Sequence, residues 1–417
     1  MRKTQKNRLK MKAFDFVVIG GGASGLAAAI TCRRENPHMS VAVIEKNVEL
    51  GKKILATGNG RCNVANTNYE YYNEVKEFLE SIGVLLKQER HGMLYPNSNA
   101  AKDIRELLEF WIKKLGIVVM SKTEATNISK IENSSFSIKA ISQEGELQIS
   151  ATKVLLATGG KAAPQYGSSG GGYVLAKKLG HTITPLRPSL AAISCVGKFG
   201  SLKGTRVHAE VTLQNKRTGK AFNQIGELQF TDRGVSGICV FNLSKNIVLN
   251  LEGRDLIEAF SDYKLKIDFM PEFAQEELEN VLKERLKLFG EDSISKLLTS
   301  VIPAKLAECI LEELAKENGI ADISAGDVDG FVRKLARKIK STEFSVKGVN
   351  GWKEAQVTSG GVQGKEVNKT TFESNIVRGL FFSGELLDYD GICGGYNLSN
   401  AFYSGICVGR NVAECTG

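Results

Sequence analysis

A chain of 417 residues with 42% apolar and 24% charged side chains has the composition of an ordinary globular protein, and its length allows two or three domains. The formal charge of +9 is concentrated at one end: Arg2, Lys3, Lys6, Arg8, Lys10 and Lys12 carry six of it, leaving +3 for the body. That near-neutral body argues against a broadly basic nucleic-acid binder, and residues 1–12 read as a disordered solubilising tail, with folding starting near Met11.

Phe16 to Ile19 forms an apolar run that predicts a buried strand, and Gly20, Gly21, Gly22, Ala23, Ser24 and Gly25 follow it with G-x-G-x-x-G spacing. Gly20 permits a tight turn, Gly22 lets backbone approach a pyrophosphate, and Gly25 lets a helix pack on the strand. The helix N-terminus adds amides and partial positive charge. An apolar helix from Leu26 and a second buried strand, Val41–Ile44, complete a β-α-β unit, and Glu45 ends it where an acid binds an adenosine ribose. Basic residues before an apolar stretch also outline a secretory signal, but Asp15 at its mouth and the nucleotide-turn glycines oppose export. No run of eighteen apolar residues occurs, so a soluble cytoplasmic protein without a membrane span is expected.

Next comes the glycine-rich segment from Gly51 to Asn63, then helices near 74–82 and 100–115 and strand-like stretches at 117–121, 124–131 and 135–141. Lys153 to Ala157 reads as a buried strand ending in the turn Thr158, Gly159, Gly160, and a short helix follows from Tyr173 to Leu179. From 191 to 270 short alternating stretches predict an antiparallel barrel or sandwich. Over 271–344 apolar residues recur at three and four, which predicts helices. The α/β texture resumes with a strand at Leu380–Phe382 and a last helix from about Leu398 to Glu414. The expected fold class is therefore α/β: a Rossmann-like domain of residues 13–190 and 345–417, interrupted by a β-barrel-like domain at 191–270 and a helical subdomain at 271–344.

Eight cysteines include no C-x-x-C pair, which removes a zinc ribbon and a redox-active disulfide, and four dispersed histidines give no metal motif. Three later segments favour FAD over a nicotinamide dinucleotide as the bound cofactor. Thr158, Gly159 and Gly160 can return backbone over it; Gly384 and Glu385 close a strand with a close-approach glycine and an acid; Gly394 and Gly395 open the last helix toward a flavin edge. No second glycine fingerprint lies in 190–350, so NAD(P)H enters only as a transient hydride donor.

The Gly51–Asn63 pattern, the stretch Gln356 to Val362, and Gly384 to Asp388 followed by Gly394, Gly395, Tyr396 and Asn397 resemble the bacterial BaiN-like (YhiN-like) FAD-dependent oxidoreductases over nearly the whole chain. The resemblance implies an FAD domain of the glutathione-reductase class with an insertion that closes over the flavin. It places Gly20, Gly22, Ser24 and Gly25 at the pyrophosphate, Glu45 on the ribose with Lys46 beside it, and Ala125 at the adenine. It puts Thr57, Gly58, Arg61, Cys62 and Asn63 along the cofactor, Gly384 and Glu385 near the ribityl chain, and Asn397 and Leu398 near the flavin ring.

The resemblance also implies NAD(P)H-linked reduction of an activated C=C in a small hydrophobic enone; amine oxidation with O2, RNA modification or a non-catalytic flavin sensor are the alternatives. No residue proves the catalytic acid. Tyr396, Tyr403 and Arg61 are candidates, Tyr403 also fits helix packing, and Cys62 and Cys393 read as buried small residues. The basic run Arg333 to Lys340 has the helical spacing of a solvated face.

Overall fold

The computed structural model describes residues 12–131, 135–197, 199–247, 254–290, 294–317 and 327–414; most of the basic tail and Cys415 fall outside them. The chain forms two compact units, one comprising residues up to Pro188 and again from Gln356, the other Ser189–Ala355.

In the first unit, β1 (Lys12–Ile19) lies at the centre of a seven-stranded sheet. It pairs in parallel with β2 (Val41–Ile44), Phe16 opposite Val41, and with the strand Gly145–Leu156, Ile19 opposite Leu156. Val118–Met120 extends the sheet beyond β2, while Phe136–Ser142 and Glu124–Lys130 form an antiparallel branch on the other side. Leu380–Phe382, more than two hundred residues later, pairs in parallel with Val154–Leu156. Strands covered on both faces need continuous apolar runs, which is why Phe16–Ile19 and Val41–Ile44 are buried at every position.

Helix α1 (Ala23–Glu35) is buried from Ala23 to Cys32, and its small side chains admit a close neighbour. That neighbour is the C-terminal helix Tyr396–Glu414, which starts two residues earlier than its sequence pattern suggests. A Cβ on Gly405 would stand 2.2 Å from the Ser24 carbonyl oxygen, and one on Gly409 2.6 Å from that of Ala28. The two glycines thus set the distance between these helices.

The second unit is a closed six-stranded barrel with neighbours in the order Ile193–Cys195, Gly234–Ser236, Ala221–Phe230, Arg206–Asn215, Tyr263–Asp268 and Thr342–Val349. The last strand closes on the first, Ile193 opposite Val349. This corrects the boundary read at 344/345: residues 342–349 complete the barrel, and the unit extends to Ala355. Thr342–Val349 pairs with Tyr263–Asp268 on one side and Ile193–Cys195 on the other, so its membership of the barrel depends on partners distant in the sequence. The span 191–270 also contains two short helices, Ile238–Ser244 and Leu256–Ser261. Helices Gln275–Phe289, Ala304–Lys316 and Val328–Lys340 share one apolar core with the barrel through Leu282, Ile310, Phe331 and Leu335, so they are not a separate subdomain. In the basic run, Lys338 pairs with Glu317 at 2.7 Å and Lys340 with Asp268 at 2.7 Å, while Leu335 and Ile339 face the core.

Candidate functional site: the glycine turn and the C-terminal strand–helix junction

The parallel strands of the first unit end together, and the expected site residues gather at those ends. Gly20 has φ +111°, and a Cβ there would lie 2.4 Å from the Ala157 carbonyl oxygen; only glycine lets this turn pass the end of the neighbouring strand. A Cβ on Gly25 would lie 2.1 Å from the Gly20 carbonyl oxygen. Gly22 differs: it has ordinary extended backbone, and a Cβ there would meet no atom within 4 Å. It is also the N-cap of α1 and provides no side-chain cap for the first-turn amides. A helix start with no side-chain cap and room for a Cβ at Gly22 fits a pyrophosphate.

Glu45 is 8% exposed and lies across this turn. Its Oε2 accepts from the Gly21 amide at 2.8 Å and its Oε1 from the Asn47 amide and side chain at 2.7 Å each. The Glu45 carbonyl accepts from the Thr123 amide, which brings the loop before Ala125 alongside, and a register shift in the strand follows between Ala125 and Asn127. Lys46 turns away from Glu45 and donates to Ser169 Oγ at 2.6 Å.

The Gly51–Asn63 segment is a tight loop with Gly58, Asn59, Gly60 and Cys62 all at positive φ. A cysteine in that region is strained, and such strain concentrates at functional loops. Burial pushes the Cys62 thiol up to about 11, eased by a hydrogen bond from Thr57, so it is a neutral packing group and not a nucleophile at neutral pH. Arg61 is held at both ends: it donates to Asn99 Oδ1 at 2.7 Å, pairs with Glu89, and stacks 4.2 Å over the Tyr95 ring. That bracing, through Nε and Nη2, makes Arg61 an anchor of the loop. With its carboxamide nitrogen turned toward the Ala65 and Leu94 carbonyls, Asn63 would donate to both and accept from the Gly395 amide at 3.1–3.2 Å, tying the loop to the start of the C-terminal helix.

At the end of the strand Leu380–Phe382, Gly384 has φ +66°, and a Cβ would stand 2.7 Å from Ser24 Oγ; its amide donates to Ser404 Oγ. This places Gly384 against the first turn of α1. The Glu385 carboxylate bonds Lys53 Nζ at 2.6 Å and accepts from the Thr358 amide at 2.8 Å. Thr358, fully buried, accepts from the Lys161 and Ala162 amides at 2.7 and 3.0 Å, holding the loop after Gly159 and Gly160. Thr158 adjoins the same loop, since a Cβ on Gly172 would meet its Oγ1. Lys53 and Thr358 were not singled out in the sequence as site residues, although both lie in stretches that carry the family resemblance. Replacing Thr358 by Val would remove the acceptor shared by the Lys161 and Ala162 amides; a loss of about 2–3 kcal/mol in urea unfolding of the flavin-free protein is expected, with Thr358→Ser restoring most of it.

The C-terminal helix starts after Gly394 (φ +123°) and Gly395 (φ +96°), so Tyr396, Asn397 and Leu398 offer first-turn amides. The Asn397 side chain does not point away from the protein. It accepts from the Gly391 amide at 2.8 Å and donates to the Gly391 carbonyl at 2.9 Å. Asn397 therefore braces the preceding loop, and its backbone is what remains for a ligand. Cys393 Sγ lies 3.8 Å from Gln356 Oε1, and the side chain is half-buried, not buried as the sequence suggested.

A Rossmann sheet with an uncapped glycine turn, an acid at the second strand and a returning C-terminal strand–helix junction defines an FAD-dependent oxidoreductase of the Rossmann class. The model of the HI0933-like protein Rossmann domain family matches residues 14–76 and 69–411, and the chain belongs to that family. It is 34% identical over 420 residues to a 3-dehydro-bile acid delta(4,6)-reductase from Clostridium scindens, covering 95% of this chain and 98% of the relative. It is 29% identical to a ribosomal RNA dihydrouridine synthase from Haemophilus influenzae, with 95% and 98% covered. Among solved structures, a 3-ketosteroid-delta4-(5alpha)-dehydrogenase from Rhodococcus jostii aligns with TM-score 0.49 and 14% identity over 99% of each chain. No helix among the described residues is long and apolar enough to cross a membrane.

Proposed function

We propose that this protein reduces a carbon–carbon double bond conjugated to a carbonyl, with FAD recharged by NAD(P)H. The observation that carries this reading is the full-length likeness to relatives whose named activities share one bond change. A delta(4,6)-reductase saturates a steroid C=C, and dihydrouridine is uridine with its ring C=C reduced. The first substrate reading is a small hydrophobic enone, after the relative with 34% identity. A second, a uracil base in ribosomal RNA, is favoured by two relatives at 29% and 26% identity over nearly the whole chain.

When bound, FAD supplies the hydride-transfer chemistry. The first-turn amides of α1, at Gly22, Ala23 and Ser24, would hold the pyrophosphate, and Glu45 the adenosine ribose. Thr57, Gly58 and Asn63 on the strained loop, with Gly384, would line the ribityl and ring portion. The first-turn amides of Tyr396 to Leu398 would face the ring edge, where the helix N-terminus favours negative charge. With Arg61 braced and Tyr403 stacked on another ring, Tyr396 is the remaining candidate for protonating the substrate carbon.

Anaerobic stopped-flow spectroscopy tests the reading. Bleaching of the flavin band by NADH or NADPH, then reoxidation by a conjugated enone or a uridine-containing rRNA fragment, is expected. Bleaching by an amine alone would replace it with an oxidase, and bleaching by none of these with a non-catalytic flavoprotein.

A further inference from the structure

Outside the glycine-turn groove, the first unit buries one imidazole that has no part in the site described above. His181 follows the helix Gly171–Lys178, is 3% exposed, and is fixed at its own amide, which donates to the Ala176 carbonyl at 3.1 Å. Its Nε2 lies 2.8 Å from Ser374 Oγ, 193 residues later in the chain, and the ring meets Phe382 edge-on at 4.7 Å. Nδ1 has no hydrogen-bond partner among the described residues, so the contact with Ser374 is the hydrogen bond that holds the ring.

The hydrogen bonds around Ser374 settle the protonation state. Ser374 is itself buried, and its Oγ accepts from the Ile376 amide at 3.0 Å and from the Val377 amide at 2.8 Å. A hydroxyl has two lone pairs and one proton. Both lone pairs are taken, so the hydroxyl donates its proton to Nε2, and the imidazole is neutral with its own proton on Nδ1. The surroundings agree with that state. The helix Gly171–Lys178 offers the ring the Ala176 carbonyl, the strand Leu380–Phe382 the uncharged Phe382, and the turn Gly364–Glu366 the Glu366 carboxylate, which is itself bound to the Thr182 amide at 2.8 Å. Burial holds His181 below the ordinary histidine range, outweighing the Ala176 carbonyl and Glu366, which favour the charge.

What this bond holds is the entry to the C-terminal strand. The Ser374 amide donates to the Leu380 carbonyl at 2.8 Å and the Gly379 amide to the Glu373 carboxylate at 2.7 Å, so the turn between them feeds straight into Leu380–Phe382. Gly384 stands just past the end of that strand, against Ser24 of α1. A proton added at Nε2 turns an acceptor into a donor that faces an oxygen whose lone pairs are already used. The imidazolium must displace one of the two amides or leave the contact, and either change loosens the turn.

We propose that His181 is a positioning residue for the cofactor and an acid-sensitive one: the neutral ring holds the Ser374 turn, and through it Gly384, in place against α1, and the protonated ring releases them and weakens the hold on FAD. The inference rests on the assignment of Gly384 to the FAD site. It does not depend on which substrate is reduced, and it survives if the reduction chemistry fails.

The test takes the FAD-loaded protein from about pH 7.5 to about pH 5.5 and follows free-flavin fluorescence. Wild-type affinity for FAD should fall about tenfold, the effect of a one-unit difference between the His181 pKa with and without cofactor. His181→Gln, whose amide oxygen can accept the Ser374 hydroxyl and cannot titrate, should change less than about threefold. A histidine whose folded value is depressed contributes stability that is complete above its unfolded value of about 6.5 and is lost as pH falls below it. The flavin-free wild type should therefore lose more melting temperature over this window than flavin-free His181→Gln. Nitrogen NMR of the wild-type imidazole should show the Nδ1–H tautomer, and a titration that moves to lower pH when FAD is bound. An Nε2–H tautomer overturns the proposal, as does an equal loss of FAD affinity in wild type and His181→Gln. A melting difference without a difference in FAD release also overturns it, because the turn would then be uncoupled from the cofactor. If His181→Gln does not fold, the wild-type titration decides, and an unchanged His181 pKa with and without FAD overturns it.

Discussion

Gly22→Val should purify as a folded protein without FAD, its affinity for the cofactor lowered by at least about 100-fold, or ~2.7 kcal/mol. The backbone at Gly22 is extended, which valine adopts freely, and a Cβ meets no protein atom within 4 Å. The side chain would fill the space in front of the α1 amides, where a pyrophosphate would bind. Gly25→Ala is the contrasting case. Its Cβ would stand 2.1 Å from the Gly20 carbonyl oxygen, so the helix must leave the strand and stability falls with binding. Flavin absorbance of the purified variants and circular dichroism melting of their flavin-free forms separate the two effects. Wild-type FAD content in Gly22→Val would remove the glycine turn from the cofactor site.

The second large effect is expected at the interface of α1 with the C-terminal helix. Gly405→Ala places a methyl 2.2 Å from the Ser24 carbonyl oxygen and 2.9 Å from its carbonyl carbon, contacts that only a shift of one helix relieves. A destabilisation of about 3 kcal/mol in denaturant unfolding follows, at the upper end of the usual overpacking range. Because Ser24 lies in the first turn of α1 and its hydroxyl approaches Gly384, FAD affinity should fall as well. Arg410→Ala, on the exposed side of the same helix, is the control and should stay within about 0.5 kcal/mol. Equal stability of the two variants would mean that the glycine does not set the helix spacing.

The parts of the site that were legible in the sequence are those where local chemistry leaves one answer. Gly20, Gly22 and Gly25 announce a turn because their spacing, between an apolar run and an alanine-rich helix, has few other uses. Gly384 was read as a glycine that lets backbone come close to the ribityl chain, and what the structure adds is its closeness to Ser24. Side-chain roles were less legible. Arg61 and Asn397 read as groups available to a ligand, yet Arg61 is taken up by Asn99, Glu89 and Tyr95, and Asn397 by the Gly391 backbone. Polar groups near a binding loop must first satisfy their own hydrogen bonds, and their partners lie in segments whose proximity no local pattern reveals.

The sequence by itself determined the β-α-β nucleotide unit, the interruption of its domain and the family, because each is written in short-range spacing or in long motif matches. Tertiary structure alone decided three further matters. It assigned Thr342–Val349 to the barrel, joined Lys53 to Glu385 across 332 residues, and set the His181 imidazole on Ser374 across 193. Each of these depends on distant residues meeting in space, and such contacts are set by the packing of whole elements.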